Sequence, residues 1–542
     1  MTKGFEHGLF TMDRRRMLAL GLAATLAPLA ARAQTLTPPV ATGSGPVRGI
    51  AGEGYSAFLG LRYAAPPTGA LRFMPPAPPV PWKEPVSAAA YGAPPVQMYA
   101  RPSGEASSAL GRSLYPVFPH ARETREGRED CLFLNVWTPA PDAKKRPVMV
   151  WLHGGGHVYG SGSWPSYDGA NLARRRDVVV VTLNHRLNAF GYLNLASAMG
   201  ETYAKSASVG LLDIVAALEW VRANIEAFGG DPSNVTLFGE SGGGGKVSAL
   251  MAIPAAKGLF HKAMVQSGAG LRAIPADKAA ESAALVLTEL GVAKGDTAAL
   301  NALPAAQIIT ACYAVQARTP GSLSFGPVLD GVVLPRNPFD PDAPAQSADI
   351  PLVIGTNKDE MTLFLASSPW FGTLTEAQLV ERADQIAGAR APALLAALRE
   401  ARPGYSPTYL LAALMSETAM VADSYREADR KAAQAAPVFM YRLDWETPIA
   451  DGVFKTPHTL DIPLAFDNIE TARVFVGPGP EPQILADQMS AAWAAFARNG
   501  DPSTPKLPWP RYDPVRRATA VFNVESRIVH DPDPKVRAAL MA

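Results

Sequence analysis

The sequence is poor in cysteine and in net charge. Its 542 residues include only Cys131 and Cys312, so a framework of several disulfides is excluded and a single bridge between these two is the most that is possible. The 50 Lys and Arg residues nearly balance the 49 Asp and Glu residues, which gives a formal charge of +1. Without a basic excess there is no general electrostatic attraction to nucleic acid or to anionic membranes, and we expect no nucleic-acid partner.

The sequence also lacks an apolar run that could span a bilayer, which takes about twenty residues. The apolar stretch at residues 19–29 is too short, but it follows the arginines at 14–16 and precedes Ala-Arg-Ala at 31–33. This order is typical of an export signal that is cleaved near Gln34, and paired arginines favour the twin-arginine route. We expect residues 1–33 to be this signal, with Met12 as an alternative start, and the protein to be exported, periplasmic or secreted by a bacterium, without a stable membrane anchor.

The chain has enough apolar material for a large core, because 48% of its residues are hydrophobic and 18% are charged. After a loose lead-in at 34–46, the central part alternates predicted strands with helices, including a helix at 210–228. The predicted strands are 132–137, 147–152, 177–183, 235–238, 262–267, 350–355 and 438–443. Such alternation indicates an α/β fold with a mostly parallel sheet flanked by helices. We expect 34–542 to be one catalytic domain, with helical insertions at about 276–318 and 375–434 that cap the active site.

One glycine cluster dominates the sequence. Gly239, Ser241 and Gly243 form a G-x-S-x-G motif between a predicted strand and a predicted helix, as in a nucleophile elbow. A phosphate-binding loop is the alternative for so many glycines. It is excluded because Glu240 stands where that motif needs glycine, and the residue after Lys246 is not Ser or Thr.

A serine nucleophile needs a general base, and the base needs a carboxylate that fixes its tautomer. On this kind of fold the chain order is nucleophile, acid, histidine. His458 follows the last predicted strand and is favoured over His530, which is typical of a solvated histidine near the terminus. The acid is Asp359 or Glu360, and spacing alone does not choose between them.

The sequence His-Gly-Gly-Gly at 153–156 directly follows the predicted strand 147–152. It matches the motif that supplies backbone oxyanion donors in lipases and esterases. A metal site at His153 and His157 is the alternative, but their four-residue spacing aligns ligands only on a helix, which three glycines disfavour. We therefore expect no metal and no cofactor.

Two stretches, E-D-C-L-F-L-N at 129–135 and F-G-E-S-G-G at 238–243, resemble the signatures of the type-B carboxylesterase family, the relatives of cholinesterases. Further stretches of the same resemblance lie at 58–67, 184–187, 224–232 and 325–331. The resemblance implies an α/β-hydrolase fold and hydrolysis of carboxylic esters. By position it also implies a set of site residues: Ser241 as nucleophile, Glu360 as acid, His458 as base, and the N–H groups of Gly155, Gly156 and Gly242 as oxyanion donors.

Three positions depart from the family pattern. Gly242 stands where alanine is usual, which keeps the donor but is expected to loosen the turn. Met361 replaces the glycine that usually follows the acid. Cys131 lacks its usual upstream partner, because Pro95 and Val96 occupy the expected region, so we expect that small disulfide to be absent.

The expected substrate is a small-molecule ester. The same triad can attack an amide, a carbamate or a lactone, and these remain alternative substrate classes. A non-catalytic binding protein on the same fold is a further alternative, against which the presence of all three triad residues argues. The sequence does not identify the acyl or alcohol group of the substrate, or the oligomeric state.

Overall fold

The computed structural model describes residues 35–99 and 125–542. The described residues from Leu36 to Ala542 form one compact unit. The predicted export signal lies outside the described residues. Within them, no helix is both long enough and apolar enough to cross a bilayer.

Most strands of the described residues belong to one large sheet. In chain order the strands are β1 Val40–Thr42, β2 Gly45–Arg48, β3 Ile50–Gly52, β4 Tyr55–Arg62, β5 Val86–Ser87, β6 Phe133–Thr138, β7 Arg146–Leu152, β8 Val179–Leu183, β9 Gly230–Glu240, β10 Lys262–Gln266, β11 Ile274–Pro275, β12 Val328–Leu329, β13 Leu352–Asn357, β14 Val438–Leu443, β15 Ala518–Phe522 and β16 Arg527–His530. The large sheet has eleven strands in the order β16-β15-β14-β13-β10-β9-β7-β8-β6-β4-β3.

The middle of the large sheet is parallel. Every pair of neighbours from β8 through β7, β9, β10, β13 and β14 to β15 runs in the same direction. At the edges, β3, β4 and β6 on one side and β16 on the other are antiparallel to their neighbours. The prediction of a mostly parallel sheet is confirmed. All residues of β7 and β8 are buried, as expected for central strands that helices cover on both faces.

Helices connect the strands. They are α1 Ala170–Arg176, α2 Asn188–Tyr192, α3 Ala196–Met199, α4 Val209–Asn224, α5 Gly242–Leu250, α6 Ala276–Leu290, α7 Thr297–Ala302, α8 Ala305–Arg318, α9 Thr362–Leu365, α10 Glu376–Ala387, α11 Ala391–Ala401, α12 Pro407–Ser416, α13 Ala422–Ala432, α14 Ile449–Gly452, α15 Asp461–Phe466, α16 Arg473–Val476, α17 Glu481–Asn499 and α18 Pro534–Met541. A 3-10 turn, Ile225–Phe228, completes the helix that the sequence predicts at 210–228.

The core lies on both sides of the sheet, and β7 shows why. Its side chains alternate, so Val148 and Val150 belong to one apolar cluster and Met149 and Trp151 to the other. The first cluster includes residues of α4 and α5, and the second includes residues of α1, α15 and α17. The sheet is therefore held between two helical layers, and the carboxyl ends of its parallel strands meet at one edge.

Two details differ from the sequence-based expectations. Residues 34–46 were expected to be loose, but β1 and β2 pair antiparallel, with Val40 opposite Val47. Both valines are buried in the core, and this packing offsets the Pro and Gly content that suggested disorder. The second detail is β15, which the sequence did not reveal and which extends the parallel part of the sheet beyond β14. Cys131 and Cys312 are both buried and free, so the bridge left open above is not formed.

Candidate active site

The predicted strand–turn–helix is present around Ser241. β9 ends at Glu240 and α5 begins at Gly242, and Ser241 between them has φ 56° and ψ −125°, which is strained for a residue with a side chain. A Cβ atom at Gly239 would lie 2.6 Å from the carbonyl carbon of Gly243, and one at Gly243 would collide with the carbonyl of the last residue of β7. Because only hydrogen fits at these two positions, the motif is a steric requirement of the turn.

The turn is tied to the neighbouring strand. The N–H of Ser241 donates to the carbonyl of Gln266, the last residue of β10, at 2.8 Å. The side chain of Ser241 is half-buried at the carboxyl edge of the sheet. Ser241 is therefore held on a rigid backbone and remains accessible to solvent.

The loop after β13 carries the carboxylate that contacts the candidate base. Glu360 Oε2 lies 2.6 Å from His458 Nδ1, and both side chains are buried. Two further contacts fix this pair: the N–H of Asn357 donates to Glu360 Oε1 at 2.7 Å, and the N–H of His458 donates to the carbonyl of Glu360 at 3.2 Å. Asp359, the other acid that spacing allowed, instead accepts a hydrogen bond from the Tyr405 hydroxyl at 2.9 Å.

The second ring nitrogen of His458 lies toward the elbow. His458 Nε2 is 3.1 Å from Oε1 of Glu240, the residue that precedes Ser241. It makes no hydrogen bond of acceptable geometry within residues 35–99 and 125–542. The nitrogen that a general base uses therefore has an electrostatic contact with Glu240 but no hydrogen bond to any described residue, and a bond from Ser241 to the base has still to form, as is common before substrate binds. His530, the alternative base, ends the edge strand β16 and is exposed.

Three buried carboxyl groups determine the charge of His458. Burial alone would lower its pKa, but Glu240, Glu360 and Asp461 raise it to about 9. Burial in turn raises the pKa of Glu240 to about 8, despite the opposing influence of His458. The imidazolium, the charged form that arises when the base accepts a proton, is thus strongly stabilised at this position.

The loop at residues 153–160, called here the glycine loop, follows β7 and packs on the elbow. Gly155 and Gly156 have φ of 83° and 60°. A Cβ atom at Gly154 would lie 3.4 Å from the Cβ of Ser241. In the described part of the chain, the N–H groups of Gly155, Gly156 and Gly242 donate to no acceptor. These groups are therefore available to an oxyanion.

The glycine at 242 has a steric cause. A Cβ atom there would collide with the carbonyl oxygen of Gly156 and would lie 2.6 Å from the Gly156 Cα and carbonyl carbon. The space that a methyl group would take at 242 is filled by the glycine loop. The elbow and the loop are packed directly against each other.

Three histidines lie in or beside the glycine loop: His153 and His185 are buried, and His157 is partly buried. The rings of His153 and His185 stack with centroids 4.9 Å apart, and His157 packs edge-on against Tyr192. Burial lowers the pKa of His153 to about 3, so its imidazole is neutral. Among the described residues, no group of three His, Cys, Asp or Glu side chains is placed to hold a metal ion.

Sequence reasoning missed three residues of the site. Glu240 and Asp461 were not assigned a role, although both lie within three residues of a triad member. Asp461 accepts hydrogen bonds from Gln266 Nε2 at 2.7 Å and from the Tyr441 hydroxyl at 2.9 Å. Lys246 is completely buried on α5, and the signal that could have found it is a lone cation inside an apolar helix.

Comparison with known proteins agrees with this geometry. A sequence model described as the carboxylesterase family matches residues 36–535. The chain is 37% identical over 506 residues to the para-nitrobenzyl esterase of Bacillus subtilis. The matched region covers 92% of this chain and 98% of that protein. It is 34% identical to the phenmedipham hydrolase of Pseudarthrobacter oxydans over 88% of this chain and 93% of that protein.

Solved structures give the same result. A carboxylesterase of Geobacillus stearothermophilus superimposes with a TM-score of 0.79 at 39% identity, over 93% of this chain and 100% of the other. A solved structure described as a thermophilic PNB esterase gives a TM-score of 0.76 at 35% identity, over 93% of this chain and 99% of the other. The chain therefore belongs to the carboxylesterase family and is an α/β-hydrolase that cleaves carboxylic esters.

Proposed function

We propose that the ester is cleaved through an acyl-enzyme intermediate on Ser241. His458 Nε2 accepts the hydroxyl proton as Ser241 Oγ attacks the acyl carbon. The tetrahedral oxyanion accepts hydrogen bonds from the N–H groups of Gly155, Gly156 and Gly242. The alcohol leaves with the proton from His458, and water, deprotonated by the same nitrogen, then releases the acid and restores the serine.

One observation carries this proposal: the 2.6 Å contact between Glu360 Oε2 and His458 Nδ1. A carboxylate at Nδ1 keeps a proton on that nitrogen, so Nε2 is the nitrogen that loses its proton and then acts as the base. The same carboxylate stabilises the imidazolium during the attack. The contact therefore gives the imidazole the tautomer and the basicity that a serine nucleophile requires.

The site offers an apolar contact beside the base. The ring of Phe364, which is exposed, has its centroid 5.1 Å from that of His458. This contact supports an ester with an apolar group next to the scissile bond. We propose that the helical stretches 276–318 and 375–434 cap the site and select the acyl and alcohol groups. Because the relatives include a para-nitrobenzyl esterase, a para-nitrobenzyl ester is the first substrate to test.

The decisive experiment is Ser241→Ala. We expect kcat on a para-nitrobenzyl ester to fall by on the order of 10³ or more, because triad members act as a unit. Ser424→Ala is the matched control, since this buried hydroxyl donates only within its own helical segment, to the carbonyl of Met420 at 2.9 Å. Near-normal kcat in Ser241→Ala would refute the mechanism.

Amides, carbamates and lactones are the alternative substrates of the same triad. Their carbonyl carbons accept the same attack, but an amide needs its leaving nitrogen protonated, and a carbamate leaves a more stable acyl-enzyme. The test compares an ester, an amide and a carbamate that are matched as closely as possible in acyl group and leaving group. We expect kcat/KM to be highest for the ester. A higher value for the amide or the carbamate would reassign the substrate class.

We also propose that the chain is exported by the twin-arginine route. The arginines at 14–16, the apolar stretch 19–29 and Ala-Arg-Ala at 31–33 support this proposal. Replacing Arg14 and Arg15 by lysine should leave the uncleaved protein in the cytoplasm of a bacterial host. Export of that double variant at the normal level would contradict the proposal.

A further inference from the structure

Lys246 is the least expected side chain near the candidate site. It lies on α5, five residues after Ser241, and is completely buried. Its ammonium nitrogen Nζ donates to two backbone carbonyls, those of His153 and Gly156, each at 2.9 Å. Both carbonyls belong to the glycine loop and flank the segment that contains the N–H groups of Gly155 and Gly156.

The two contacts hold the loop at both ends. A backbone N–H is a useful oxyanion donor only if its direction is fixed before the reaction. Residues 154–156 include two positive φ values and have no side chains of their own to hold them. Because Nζ of Lys246 binds the carbonyls on either side of this segment, it fixes the orientation of the peptide planes between them.

The same contact explains the glycine at 242. The Gly156 carbonyl that Lys246 binds is the group with which a Cβ atom at 242 would collide. Lys246 therefore holds the loop in the space that the methyl group of an alanine would occupy. Lys246 and Gly242 therefore belong to one packing arrangement, because both contact the carbonyl of Gly156.

A buried ammonium is costly unless something requires it. In the described part of the chain Lys246 forms no ion pair within salt-bridge distance, and its neighbours His153, His157 and His185 are neutral because burial lowers their pKa values. Glu240 is the carboxyl group that acts on it electrostatically. Burial lowers the pKa of Lys246 to about 7. An apolar side chain would fill this space at lower cost, so packing alone does not account for the lysine.

We propose that Lys246 is a positioning residue for ester hydrolysis, whose Nζ clamps the carbonyls of His153 and Gly156 by hydrogen bonds and so holds the oxyanion donors in place over Gly242. This inference rests on the acyl-enzyme mechanism proposed above. By orienting the loop N–H groups, the clamp stabilises the tetrahedral intermediate. The binding of the planar ester should stay nearly unchanged.

The test compares Lys246→Met with Lys431→Met. Lys431 is also a buried lysine, and it donates to the carbonyl of Ser347 and to Gln434 Oε1, outside the site. We expect Lys246→Met to lower kcat by on the order of 10²-fold, the usual effect of losing one oxyanion donor, with KM within about twofold. Lys431→Met should change the thermal midpoint to a similar extent and leave kcat unchanged.

A pair of inhibitors separates positioning from general destabilisation. A trifluoromethyl ketone forms a tetrahedral oxyanion adduct with a serine nucleophile, whereas the matched methyl ketone stays largely planar. Lys246→Met should weaken the trifluoromethyl ketone by about the same factor as kcat/KM and leave the methyl ketone within about twofold. Equal loss for both ketones, or a rise in KM at unchanged kcat, would overturn the clamp. Lys246→Leu, which also lacks a donor, replaces the methionine variant if that variant does not fold; unchanged kcat in the leucine variant overturns the clamp as well.

A double-mutant cycle tests the link to Gly242. Gly242→Ala should lower kcat strongly in the wild-type background and much less in the Lys246→Met background, because the released loop can move away from the methyl group. Additive effects would overturn the link. These outcomes are independent of Ser241→Ala: an inactive serine variant together with an unaffected Lys246→Met refutes the clamp alone, whereas an active serine variant refutes the mechanism on which the clamp rests.

Discussion

Replacement of Glu240 by glutamine should move the pH profile of the enzyme downward. The carboxyl of Glu240 lies 3.1 Å from His458 Nε2 and stabilises the imidazolium. Two unit charges about 4 Å apart near a protein surface interact by about 4 kcal/mol, or about 3 pKa units at 1.36 kcal/mol per unit. Glu240, with a pKa of about 8, is ionised where His458 titrates near 9, and because burial of the imidazole opposes the charge interaction we expect a net shift on the order of one unit or more.

The direction of the pKa shift follows from which form of His458, the neutral imidazole or the imidazolium, loses a stabilising contact. Without the carboxylate the imidazolium is less stable, so the pKa of His458 falls and the free base persists at lower pH. The acidic limb of kcat/KM should therefore move to lower pH by on the order of one unit. The assay is kcat/KM from pH 5 to 10 with an ester whose alcohol does not ionise in this range, followed by chromatography of the acid.

Glu427→Gln is the matched control for this experiment. Glu427 is also a completely buried glutamate whose pKa burial raises to about 8, but its carboxylate contacts Ser248 and Gly270. Glu427→Gln should leave the acidic limb of the kcat/KM profile at its wild-type pH. A limb that does not move in Glu240→Gln, or that moves to higher pH, would refute the assignment of Glu240 as the carboxyl group that stabilises the charged base.

Three further substitutions test the site and the fold. Glu360→Gln should lower kcat by on the order of 10⁴, because an amide cannot hold the required tautomer, and unchanged kcat would contradict the triad. Gly155→Ala should lower kcat by on the order of 10², because φ is 83° and the added Cβ would collide with the carbonyl of Tyr159; an active variant would show that the loop can rearrange. Asp213→Ala should lower the free energy of unfolding by about 3–5 kcal/mol in denaturant titrations, because it leaves Arg186 buried and unpaired, and wild-type stability would refute this.

The elbow and the strands could be predicted because their signals are local. The G-x-S-x-G motif lies within the five residues 239–243, although the carbonyl that excludes a side chain at Gly243 belongs to β7. The apolar runs of β7, β8 and β14 are buried on both faces. The hairpin of β1 and β2 was missed because its composition suggests a loose segment, and only contact with the distant core reveals that Val40 is buried.

The inner site could be predicted only in part, because its contacts join residues that are far apart in sequence. Asp359 and Glu360 are adjacent in the sequence, and only the fold shows that Glu360 contacts His458, 98 residues away. Lys246 likewise binds the glycine loop across 93 and 90 residues. Resemblance to a family chose the carboxylate that contacts His458, but it carried no information on the contacts of Lys246.

A covalent bond between the acyl group and Ser241 is the central requirement of the proposed mechanism. Rapid acid quench of the enzyme during turnover of an ester with a slowly hydrolysed acyl group, followed by peptide mass mapping, measures that bond. We expect one acyl group per chain on the peptide that contains Ser241, and none in Ser241→Ala. Turnover with no acylated peptide, or with the acyl group on another residue, would contradict the mechanism.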